Sequence, residues 1–129
     1  MTKSQFSVII PSNVYPVPSQ RELSAARILA AHFKADVTCQ PRSNRKTPDF
    51  YAAGLYWELK SPTGTGKYNI QHLLHTAIQQ SKNIIVDARF SKMNITRIKR
   101  ELQYHSKITT KGIKNLLLIT KDKKVIEIL

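Results

Sequence analysis

An α/β fold with a mixed central β-sheet flanked by helices is predicted by three observations on this sequence. Residues 49–60 alternate apolar and polar side chains in two arms around Ala53-Gly54, the period-2 pattern of an antiparallel hairpin. Ile70, Leu73 and Ala77 then recur at helical spacing, and the apolar run of residues 84–88 follows directly, so that strand, helix and strand form a unit whose strands must pair in parallel. Finally, 129 residues with 41% apolar side chains suffice for one core in a single compact domain.

Each element has its own signal. Residues 6–10 suit a short strand, and the prolines of residues 11–18 an extended segment, so that residues 1–18 read as an N-terminal lead-in to a domain of residues 19–129. Ser19 followed by Glu22 is a capping box, and Leu23, Ala26, Ala30 and Phe33 supply the apolar stripe of the helix that it opens. Residues 36–40 read as the first strand of the central sheet and residues 41–46 as a loop before the hairpin. After the hairpin, Ser61-Pro62-Thr63-Gly64-Thr65-Gly66-Lys67 is a glycine loop, flexible enough to approach a phosphate backbone closely or to order on substrate binding. It is not a nucleotide-binding P-loop, because Ser61 stands where the first glycine is required and Tyr68 follows the lysine. A second helix is expected over residues 69–82, a buried strand over 84–88, a basic third helix over 93–104, and a closing hairpin from residues 116–120 and 125–128.

The hairpin carries the chemistry. If its turn is centred on Ala53-Gly54, Phe50 faces Trp57 in the core and Asp49 faces Glu58 on the other side, with Cβ atoms roughly 5 Å apart. Like charges in that position destabilise a sheet, and a bridging divalent cation would account for them; Lys60 points to the same side. An odd-length loop would instead separate the carboxylates, and a solvated charged strand face is the plain alternative. With this register Glu58 and Lys60 are expected to face away from the core.

Pro48-Asp49, eight residues and then Glu58-Leu59-Lys60 resembles the core of the PD-(D/E)XK nuclease superfamily. The continuation Ser61-Pro62, the helix ending Ala77-Ile78-Gln79-Gln80 and the strand Ile84-Ile85-Val86-Asp87 make it similar to the C-terminal tRNase domains of contact-dependent growth inhibition toxins of the CdiA type, and of related polymorphic toxins. The resemblance covers about residues 19–129, its specific part being 48–62, and implies a PD-(D/E)XK nuclease-like fold. It makes Asp49 and Glu58 metal ligands and Lys60 the partner of the attacking water or of the transition-state phosphate. Glu22 matches the acidic residue that many members place on the first helix, beside its capping role, and Gln80 a polar residue on the helix after the motif. No boundary motif of the kind that precedes some of these toxin domains is recognisable.

Composition fits a polyanionic substrate: 21 Lys and Arg against 8 Asp and Glu give a net charge of +13. Arg42, Arg45, Lys46, Lys67, Arg97, Lys99 and Arg100 are the expected nucleic-acid contacts, together with His72, which with His75 is read as phosphate-contacting or merely exposed. A hard cation on two carboxylates is Mg²⁺, with Mn²⁺ the alternative; a zinc cluster is excluded by the single cysteine, Cys39, and by histidines without ligand spacing. The activity that the resemblance implies is a metal-dependent endoribonuclease toxin cleaving tRNA, the alternatives being a DNA endonuclease of the same superfamily and an inactive basic RNA-binding module. The partners expected are nucleic acid and an acidic immunity protein steered to the basic surface. No apolar run is long enough to cross a membrane and the N-terminus lacks a signal-peptide pattern, so action in the cytoplasm, of a target cell if the domain is exported within a larger protein, is the expectation.

Overall fold

Ser19 opens the first helix, α1 (Gln20–Phe33), through both halves of its capping box: the Glu22 N–H donates to Ser19 Oγ at 3.1 Å, and the Ser19 N–H to Glu22 Oε1 at 3.2 Å. The computed structural model describes residues 5–41 and 47–129. Around α1 stand the strands β1 (Val8–Ile9), β2 (Val37–Cys39), β3 (Phe50–Ala52), β4 (Leu55–Lys60), β5 (Asn83–Asp87), β6 (Asn115–Ile119) and β7 (Val125–Glu127), with α2 (Asn69–Ala77) and α3 (Ile95–Lys107) between β4, β5 and β6.

The strands form one seven-stranded sheet in sequence order. β1 and β2 pair in parallel, β3 is antiparallel to both β2 and β4, β4 to β6 run parallel, and β7 closes antiparallel on β6. The sheet is thus mixed, as the hairpin and the strand–helix–strand unit require. Side-chain alternation divides the core between its two faces. Ala26 and Leu29 of α1 pack on Phe50, Trp57, Ile85 and Leu117. On the other face Ile70 and Leu74 of α2, with Ile98 and Leu102 of α3, pack on Ile84, Val86, Leu116 and Leu118.

Several boundaries differ from the sequence expectation. The strand at Val37–Cys39 is second in the sheet, because Val8 and Ile9 pair with Val37 and Thr38 at the edge, and Val14 adds to the core at 5% exposure. α2 stops at Ala77 instead of residue 82: Gln79 and Gln80 N–H donate to Thr76 and Ala77 C=O, three residues back, tightening the chain into a turn. That turn brings Ser81 Oγ and Asn83 Nδ2 to the Tyr56 carbonyl, at 2.8 and 3.1 Å. α3 starts after Met93, since the Asn94 side chain caps it by accepting from the N–H of Thr96 at 2.8 Å and Arg97 at 3.4 Å, and it runs three residues past 104, to Lys107.

Candidate active site

Ala53 and Gly54 both take positive φ, 52° and 77°, the backbone of a two-residue type I′ turn whose twist matches that of its strands. The register follows: Phe50 is opposite Trp57, Tyr51 opposite Tyr56 and Ala52 opposite Leu55. The Asp49 N–H continues the ladder to Trp57 C=O at 2.9 Å, which brings the Asp49 side chain level with Glu58 on the face away from α1. β3 begins only at Phe50, and Asp49 Oδ2 accepts the Leu59 N–H at 2.8 Å, so the carboxylate is oriented by β4 itself.

Glu58 points away from the α1 core, as its register predicts, yet it is buried, 3% exposed, on the face that carries α2. The expectation of a solvent-facing side chain is corrected by β4 being an inner strand, paired on both edges. Glu58 Oε2 lies 3.4 Å from Lys60 Nζ, while Oε1 is buried without a hydrogen-bond partner. Burial pushes the Glu58 carboxyl up to about 8, the Asp49 charge and its hydrogen bond push in the same direction, and Lys60 opposes them only in part. Burial and the Asp49 charge together outweigh Lys60, so that the acid favours its protonated form at neutral pH. The donors available are carboxylate oxygens, which suit a hard dication that keeps waters of its own. Among the described residues no group of three or more His, Cys, Asp and Glu side chains forms a metal cluster, and Cys39 is buried against the α1 face.

The other expected residues are dispersed. Glu22 sits on α1 and holds the capping box. Gln80 lies in the turn after α2 instead of on the helix, half-buried. Arg97 is committed within the fold: Nη1 and Nη2 donate to Thr65 and Gly66 C=O at 3.0 Å each, and Nε to Glu101 at 2.5 Å, so the glycine loop is tied to α3. Lys67 stands over the Tyr68 ring at 5.6 Å. His72 is exposed and lines a cleft with Tyr68, His75 and Thr110, Lys99 lines another with Thr120 and Asp122, and Arg100 is exposed. Arg42, Arg45 and Lys46 lie outside the described residues.

One feature escaped the sequence reading, and another was given no role by it. Asp87 and Arg89 form a buried ion pair at 2.9 Å, and Arg89 also donates to Ser24 Oγ and Arg21 C=O, tying the end of β5 to α1. An Asp-x-Arg spacing at the end of an apolar strand was its only signal. Tyr51 and Tyr56 lie on the Asp49 and Glu58 face, as the alternation that placed the acids already implied.

Fold and site together define an α/β domain whose inner hairpin strand carries a buried acid coupled to a second acid and a lysine. Residues 46–125 match the family described as the contact-dependent growth inhibition CdiA C-terminal domain, and the chain belongs to that family. The chain also superposes on one from the solved "CdiA-CT/CdiI toxin and immunity complex from Burkholderia pseudomallei", with a TM-score of 0.64 and 21% identity over 94% of this chain and 97% of that one. At that identity the likeness shows a shared fold. No curated protein matches this sequence.

Proposed function

We propose that this domain is a metal-dependent endoribonuclease toxin that cleaves tRNA, with Asp49, Glu58 and Lys60 as its catalytic centre. The observation that carries the reading is Glu58 Oε1, buried and unbonded beside a second carboxylate and an ammonium group. Asp49 and Glu58 would hold Mg²⁺ or Mn²⁺, which when bound polarises the scissile phosphate and makes water more acidic. To hold a cation Glu58 would release its proton to water, and the Leu59 N–H fixes the orientation of the Asp49 carboxylate beside it. Lys60, on the same face of β4, donates hydrogen bonds to the attacking water or to the phosphoryl oxygens as charge develops on them.

Membership of the CdiA C-terminal family and the resemblance of Pro48-Asp49 with Glu58-Leu59-Lys60 to PD-(D/E)XK nucleases support the same reading. On that resemblance Gln80 assists at the site, whereas Glu22 stays in its capping box on α1; the net charge of +13 supports His72, Lys67, Lys99 and Arg100 as contacts to the phosphate backbone. A nuclease acting on cellular RNA must be neutralised in the cell that makes it, so an acidic immunity protein is the partner proposed for a surface of +13, and the cytoplasm of a target cell the place of action.

The test is incubation of purified protein with total RNA and with plasmid DNA, in Mg²⁺, in Mn²⁺ and in chelator, beside Asp49→Ala and Lys60→Ala. Discrete tRNA fragments that disappear with chelator and in both variants are expected. Cleavage of DNA alone would move the activity to a different substrate, and no cleavage of either would sink the nuclease reading.

A further inference from the structure

Tyr51 and Tyr56 are direct cross-strand partners on the hairpin, their rings in edge contact with centroids 4.9 Å apart and planes at 61°. They remain 40% and 51% exposed, while Phe50 and Trp57, their neighbours along the chain, are 1% and 3% exposed on the opposite face. The buried aromatic pair therefore accounts for the hairpin's share of the core, and the tyrosine pair is surplus to it.

Position gives the surplus pair a use. Side-chain alternation sets Tyr51 beside Asp49 and Tyr56 beside Glu58, two residues or about 7 Å along each strand and on the same face. Along β4 the order on that face is Tyr56, Glu58, Lys60: aromatic ring, acid, cation. We propose that Tyr51 and Tyr56 form a base-stacking platform for a single-stranded stretch of RNA, seating the nucleotide next to the phosphate that Glu58 and Lys60 engage. This rests on the nuclease reading above and specifies how its substrate is held. The net charge of +13 selects a polyanion over an apolar partner as the occupant, and a strand laid along β4 sets a base on the rings while its phosphate reaches Lys60. Stacking of this kind is tolerant of sequence, because every base has a π-face.

Binding without cleavage isolates the platform. In chelator, the affinity of the wild-type protein for a short single-stranded RNA is compared with that for an abasic strand carrying the same phosphates. The comparison is repeated with Tyr51→Ala/Tyr56→Ala and with Tyr51→Phe/Tyr56→Phe, whose folding is checked by circular dichroism. The wild type is expected to prefer the base-bearing strand about tenfold or more, the alanine variant to lose that preference, and the phenylalanine variant to keep it. Equal binding of the two strands by the wild type, binding of neither, or a preference that survives in the alanine variant would overturn the platform. Cleavage of RNA by the wild type is scored separately with Mg²⁺ present. A nuclease without base preference removes the platform alone, and base preference without cleavage removes the nuclease reading alone.

Discussion

A carboxyl held at about 8 changes how the folded protein responds to pH, and Glu58 is such a group. Its ordinary value is 4.5, so between that value and about 8 the folded protein keeps a proton that the unfolded chain has released. Stability then falls as pH rises through that window. The melting temperature of the metal-free protein is expected to drop between about pH 5 and about pH 9, and Glu58→Gln to flatten the profile, because the amide is neutral throughout. Above pH about 8, Mg²⁺ should raise the wild-type melting temperature and leave that of Asp49→Ala unchanged. Parallel pH profiles for wild type and Glu58→Gln, read by thermal denaturation, would refute the assignment of the buried acid.

The hairpin is where sequence and tertiary structure meet at the scale of the element. Ala53-Gly54 is a weak two-residue turn by composition, and the type I′ backbone is imposed on Ala53, at φ 52°, by the pairing of Phe50 with Trp57 and of β4 with β5. Asn at that position accepts positive φ more readily, so Ala53→Asn is expected to stabilise the protein by on the order of 0.5–1 kcal/mol in urea denaturation. Trp57 is the hairpin's anchor: it is 3% exposed, donates from Nε1 to Ala52 C=O at 3.0 Å and lies against Phe33 of α1 at 5.1 Å. Trp57→Ala should cost roughly 3–5 kcal/mol by the same measurement. Alternation and capping signals made the hairpin, α1 and β5 legible in advance. The end of α2 was not, because hydrogen bonds from Ser81 and Asn83 to the distant Tyr56 carbonyl decide it.

For the molecule as a whole, the basic surface sets the salt response. A chain of +13 that grips about six phosphates of a single strand should show a slope near −0.7 per phosphate in log affinity against log salt, a loss of about several hundredfold between roughly 50 and 200 mM. Filter binding of RNA in chelator across that range measures it, and an affinity indifferent to salt would mean that the charge serves no polyanion. The Arg97 bonds to Thr65 and Gly66 C=O show that total charge overstates the cations free to bind: one of the expected contacts holds the glycine loop instead.

By itself the sequence determined the element order, the mixed sheet, the face shared by Glu58 and Lys60, and the excess of basic charge, because each follows from local periodicity or composition. Tertiary structure alone decided the turn geometry, the ties made by Arg97 and Arg89, and above all the burial of Glu58. Burial is a property of what packs around a side chain. An acid on an alternating strand reads as solvated until a strand on either side and α2 over that face withdraw the water, leaving its charge opposed by Asp49 and balanced only in part by Lys60.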